Sequence, residues 1–114
     1  AAAENAGYTL LDAASGRLYT SDWYQQTLYL EAGQEYRIAG ACDEDCRDMD
    51  LALFDSDGHR IDRDTGRDDQ PEVAIRPRRD GEFTLAVAIP DCRAHRCTYG
   101  VALYGRTSAR KPQI

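Results

Sequence analysis

Residues 41–58 read ACDEDCRDMDLALFDSDG, from Ala41 to Gly58. Within it Met49, Leu51 and Leu53 fall on one side of an extended chain, with Asp48, Asp50 and Ala52 on the other. This period-two alternation marks a strand with one buried face. The run ends at Asp55-Ser56-Asp57-Gly58, whose short polar side chains and glycine suit a tight turn. A one-residue slip in register would bury Asp50 where Leu51 belongs, so the alternation fixes the buried face.

The same alternation recurs on both sides of this stretch. Upstream, Leu28 and Leu30 share a face, residues 31–34 form a turn, and Tyr36 and Ile38 lie on one face of a return strand. Downstream, His59 to Ile61 return from the turn, a charged loop covers 62–70, and Val73 and Ile75 point inward before Pro77. Phe83, Leu85, Val87 and Ile89 alternate with Glu82, Thr84, Ala86 and Ala88, which predicts the longest and most central strand. Tyr99, Val101 and Leu103 repeat the pattern. Roughly seven or eight short strands, with almost no helical periodicity, define an all-β class: an antiparallel β-sandwich, jelly-roll-like.

The ends are less regular. Tyr8–Leu11 and Arg17–Thr20 are short β-compatible runs around a turn-like spacer, 12–16, which reads as a hairpin or an irregular arm. Ser21 and Asp22 could cap a single helical turn through Trp23 to Gln25. The organisation expected is one domain: 1–26 an N-terminal arm or extra strands, 27–105 the sandwich, and 106–114 a polar basic tail.

At 114 residues the chain can build a single core. Its formal charge of -6 argues against a nucleic-acid partner, which needs clustered cations, and favours a cationic ligand or a metal ion. No run approaches the roughly 18 apolar residues of a membrane helix, so no membrane insertion is expected. The four cysteines stand as two close pairs, Cys42 with Cys46 and Cys92 with Cys97. They read as two local disulfides formed in a periplasmic or secreted setting, and the lack of a basic, apolar leader reads as a mature or trimmed chain. The competing reading is a zinc site of Cys92, His95 and Cys97 completed by Cys42 and Cys46, against which stand the wide spacings within each pair.

Several motifs carry a family resemblance: Leu30 to Tyr36 (LEAGQEY), Asp48 to Gly58 (DMDLALFDSDG), Asp68 to Glu72 (DDQPE), Asp80 to Val87 (DGEFTLAV) and Tyr99 to Leu103 (YGVAL). Over residues 27–104 the chain resembles the bacterial pre-peptidase C-terminal domain. That resemblance implies a secreted β-sandwich, commonly appended to a protease or other exoenzyme, sometimes binding calcium or an extracellular polymer. The two cysteine pairs are additions to the family pattern.

Eleven acids and four arginines lie between Asp43 and Asp69. Asp48 and Asp50, two apart on a strand and about 7 Å between Cα atoms, can converge on one ion. Calcium, which takes about six to eight oxygens, is the candidate cofactor, with Asp55, Asp57 or an acid from 62–69 as further ligands. The plainer reading is a solvated edge whose charges discourage aggregation. No serine lies in a nucleophile-elbow setting and both histidines fall in loops, so no catalytic residue is assigned and no enzyme activity is expected. Tyr29 falls opposite Leu28 and Leu30. Together with Trp23 and Tyr24 it is a candidate binding surface for a protein or an extracellular polymer, unless these rings complete the core. Two functions follow: a secreted or periplasmic, non-catalytic binding module, or a calcium-stabilised structural envelope domain.

Overall fold

The structure is a computed structural model that describes residues 6–20 and 22–107. Eight strands follow in order: β1 (Thr9–Leu18), β2 (Trp23–Leu30), β3 (Gln34–Cys42), β4 (Cys46–Phe54), β5 (Arg60–Asp64), β6 (Glu72–Ile75), β7 (Gly81–Cys92) and β8 (Cys97–Thr107). They form two four-stranded sheets, β1-β8-β3-β6 and β2-β7-β4-β5, with antiparallel neighbours throughout. No helix occurs among the described residues.

The alternation read from the sequence decides which side chains meet between the sheets. Met49, Leu51 and Leu53 of β4 and Leu85, Val87 and Ile89 of β7 are buried, facing Ile38, Val73, Tyr99 and Val101 of the other sheet. Leu28, Ile75 and Leu103 are only partly buried at the margins of this core. The sheets approach closely at Gly40, where an added Cβ would come 2.8 Å from the Met49 methyl. At Gly58 the β4–β5 turn needs φ +83°, a conformation glycine adopts without penalty.

The N-terminal third departs from expectation. Residues 12–16 form no turn: β1 runs through them and pairs with β8 from Thr9↔Gly105 to Leu18↔Cys97, with one bulge between Leu10 and Asp12. A formed partner strand outweighs weak local propensity, and the small residues at 13–16 fit an edge strand beside Tyr99 and Val101. Trp23 to Gln25 form no helical turn either; they open β2 and pair with β7. Ser21, half of the cap expected there, lies outside the described residues. Arg106 and Thr107, read as the start of a tail, end β8, while 108–114 lie outside the described residues.

The two long margins of the sandwich differ. On one, β5 of the sheet β2-β7-β4-β5 reaches β6 of the sheet β1-β8-β3-β6: Asp64 Oδ2 accepts the Glu72 N–H (3.0 Å) and Asp62 Oδ2 accepts the Ala74 N–H (2.9 Å). On the other, β1 and β2 stand apart around a mouth of about 310 Å3 lined by residues 14–18, Tyr24, Gln26 and Tyr99.

The outer faces differ as well. On β1-β8-β3-β6, Tyr8 and Tyr104 pack on Ala39 and Ala102, and the buried Glu35 carboxylate holds Arg76 (2.6 Å) and Arg106 (2.9 Å). On β2-β7-β4-β5 the register sets exposed aromatics beside small residues.

Candidate functional site

Strand pairing builds this second face row by row. Trp23, Ala88 and Asp50 stand side by side on β2, β7 and β4; the next row is Gln25, Ala86 and Ala52, and the next Thr27, Thr84 and Phe54. Tyr29 lies across from Glu82. Trp23 is 62% and Tyr29 64% exposed, and the alanines between the outer strands leave a low floor. At one end the β4–β5 turn rises over the sheet and closes a depression of about 410 Å3, lined by Gln25, Thr27, Phe54, Asp55, Ser56, Gly58, Glu82 and Thr84. Hydroxyls, a carboxamide, carboxylates and a phenyl ring therefore share one groove.

Tyr24 is exposed too, but it pairs with the inward Val87 and lines the mouth between the sheets beside Tyr99. Of the three aromatics expected to share a surface, the structure brings Trp23 and Tyr29 onto one face and sends Tyr24 elsewhere. Burial raises the Tyr99 hydroxyl above its ordinary value, with Tyr24 adding to the effect.

The acids divide in the same way. Asp48 and Asp50 point outward from β4, and one oxygen of each (Oδ1) is buried with no hydrogen-bond partner among the described residues. Asp91 is the register partner of Asp48, and the loop before β6 returns so that Asp68 accepts the Met49 N–H at 2.9 Å. Loss of solvent is the first cause that raises the Asp48 carboxyl above its ordinary value; Asp68 and Asp91 add to it and Arg67 opposes. Desolvation likewise raises Asp50, reinforced by Asp48, Asp64 and Asp68.

Asp55 and Asp57 belong to a different place. Five residues of extended chain separate Asp50 from Asp55, about 16 Å, so the two pairs cannot hold one ion. Asp55 Oδ1 accepts the N–H groups of Asp57 and His59, both at 2.9 Å, and these bonds, His59 first, lower its carboxyl. Ligand atoms of Asp55, Asp57 and His59 lie within 4.8 Å of one another on the turn. From the 62–69 loop, Asp62 and Asp64 are engaged with β6, as described above.

All four sulfurs are oxidised: Cys42–Cys46 and Cys92–Cys97 bridge Cα atoms 5.8 and 5.9 Å apart. The zinc reading therefore falls, and His95 instead stacks edge-on against Tyr19 with ring centroids 4.9 Å apart. Cys46 and Cys92 are register partners, so both disulfides sit at the end of the sandwich that carries Asp48 and Asp91. Asp43 ties that end to β8 by accepting the Thr98 N–H at 2.9 Å.

Sequence reasoning missed Phe54, Gln25, Glu82 and Thr84 as groove residues and Asp91 as a neighbour of Asp48, while Asp68 falls in the 62–69 loop that it offered as a source of further ligands. The alternation Trp23, Gln25, Thr27, Tyr29 was a usable signal for Gln25, and the outward set Glu82, Thr84, Ala86, Ala88 for Glu82 and Thr84. Nothing local could signal Asp91, whose place depends on a cross-strand register.

No family model matches the chain, and no curated protein sequence matches it significantly. Among solved structures, the pre-peptidase C-terminal domain of the collagenase from Bacillus anthracis is similar with a TM-score of 0.64 at 15% identity, covering 81% of this chain and 87% of that one. PliG of Aeromonas hydrophila, a periplasmic lysozyme inhibitor of g-type lysozyme, is similar with a TM-score of 0.58 at 18% identity, covering 83% of this chain and 85% of that one. The chain thus has a β-sandwich fold of the pre-peptidase C-terminal domain type, the fold that its motifs resembled. PliG is built on the same sandwich.

Proposed function

We propose that this chain is a non-catalytic binding module of the periplasm or the secreted fraction, and that it captures a protein or an extracellular polymer on the outer face of β2-β7-β4-β5. The observation that carries this reading is the exposure of Trp23 and Tyr29 on one face, beside an alanine floor and a polar groove. Large apolar rings that sit in water tend to mark interaction sites, and aromatic anchors dominate binding energy at interfaces. Two disulfides fit an oxidising compartment. The PliG likeness supports protein capture, since that protein inhibits a g-type lysozyme, and the collagenase domain supports an accessory role.

The test is a titration followed by the emission of Trp23, the only tryptophan, with a g-type lysozyme and with soluble peptidoglycan glycan strands as probes. Binding of either should weaken by about thirtyfold in a Trp23→Ala, Tyr29→Ala variant followed by calorimetry, the cost of losing a central anchor of about 2 kcal/mol. Undiminished binding by the folded double variant would refute the assignment of this face.

A second reading, calcium held at Asp48 and Asp50, is favoured by their two buried Oδ1 atoms without partners and by Asp68 and Asp91 beside them. An all-carboxylate donor set suits a hard cation. Calcium bound there would relieve repulsion between these acids and pin the loop at Asp68 to β4. Millimolar calcium should then raise the melting temperature of the native chain and leave an Asp48→Asn, Asp50→Asn variant unmoved; equal melting of the native chain with calcium and with chelator removes this reading.

A further inference from the structure

We infer that the row Trp23, Ala88, Asp50 is a receptor for a cationic side chain, an arginine or lysine presented by a basic protein partner, with the indole on one side and the carboxylates of Asp50 and Asp48 on the other. This rests on the binding-face reading above and names the chemistry of its occupant.

Three observations converge. Trp23 and Asp50 both pair with Ala88, so they flank it on the same face of the sheet. Neighbouring strands are about 4.8 Å apart, which sets the indole and carboxylate Cα atoms about 10 Å from each other across a methyl floor. A guanidinium or ammonium entering that gap comes within the roughly 6 Å of a ring centroid at which cation–π attraction operates, and within hydrogen-bond reach of a carboxylate.

The second observation is charge. Asp50 and Asp48 each keep a buried Oδ1 with no hydrogen-bond partner among the described residues. The charges that act on Asp50 are Asp48, Asp64 and Asp68, all negative. Arg67 acts on Asp48 but not on Asp50, and Arg63, across Ala52 in the next row, is not among the charges that move Asp50 either. A partner's cation supplies the missing counter-charge. The third is the rest of the face: Tyr29, Phe54 and the polar groove extend the surface well past one side chain, which suits a folded protein better than a small free cation. A net charge of -6 steers basic partners towards it.

The full chain, titrated with an octa-arginine peptide as the stand-in for a basic surface, should show a shift in Trp23 emission and an affinity that falls as salt rises from about 50 to 200 mM. Asp50→Asn, which keeps shape and removes charge, should weaken binding about tenfold, the scale of one charge-assisted pair. An octa-glutamine peptide should not bind. If Asp50→Asn binds octa-arginine as tightly as the native chain, or if the peptide binds without moving Trp23 emission, the cation receptor is overturned. Neutral glycan strands that quench Trp23 equally in both chains would also overturn it, while leaving the binding face itself standing.

Discussion

The Asp62 carboxylate accepts a hydrogen bond from the main-chain N–H of Ala74 at 2.9 Å, so a side chain of one sheet occupies a ladder position on the edge strand of the other. Asp64 does the same for Glu72. Strand β6 is only four residues long and its outward N–H groups would otherwise be open to another chain. Replacing Asp62 or Asp64 by alanine is expected to cost about 0.5–1.5 kcal/mol each, the range for an ordinary hydrogen bond, since both bonds are exposed, while asparagine keeps an acceptor and costs less. Urea unfolding should show a lower midpoint at unchanged slope, and the Asp62→Ala, Asp64→Ala pair should aggregate more readily.

Asp50→Asn should stabilise the unliganded domain at neutral pH. Folding raises the carboxyls of Asp48 and Asp50, so the stability tied to their protonated forms is full below the ordinary carboxylate value and is lost as pH rises through the raised one. The charged forms are the ones that lose solvent and repel, so removing one charge above the raised value relieves both costs. Relief of such repulsion commonly yields about 0.5–2 kcal/mol. Thermal melts should show the variant above the native chain at pH 7 and the gap closing as pH falls through the carboxylate range. An equal or lower melting temperature at pH 7 would contradict the electrostatic picture of this flank.

How much of this could be read beforehand varies along the chain. The alternation at 83–89 and 49–53 settled two central strands, because each has one buried face and any slip would bury a charge. It could not settle β1, whose residues 12–16 spell a turn and become a strand only through pairing with β8. The acids show the same limit. Asp48, Asp50, Asp55 and Asp57 are close in sequence, yet the extended backbone carries the second pair to a turn. The neighbours that shape Asp48 come instead from positions 68 and 91. The juxtaposition of Trp23 with Asp50 was invisible for the same reason: it exists only once β7 lies between β2 and β4.

Each disulfide should contribute about 2 kcal/mol by the chain-entropy estimate for such short loops. Alanine pairs at Cys42 and Cys46, or at Cys92 and Cys97, should lower the urea midpoint without unfolding the domain. Peptide mapping without reductant should recover both local bridges, and a Cys42–Cys97 cross-link would contradict the structure.

Glu35 is the anchor of the opposite face, where it gathers Arg76, Arg106 and the Tyr8 hydroxyl, the last at 3.4 Å. Glu35→Gln should cost about 1–3 kcal/mol. Because the proposed binding face lies on the other sheet, the variant should bind the probes as the native chain does; a large loss of affinity would contradict that proposal.

Docking of a partner on the outer face of β2-β7-β4-β5, as proposed above, can be read residue by residue from amide chemical shifts. With g-type lysozyme or soluble glycan strands added to the labelled chain, shifts should concentrate at Trp23, Thr27, Tyr29, Thr84, Ala88 and Asp50. Shifts concentrated around Tyr8, Arg37 and Tyr104 on the opposite sheet, or no shifts with either probe, would contradict it.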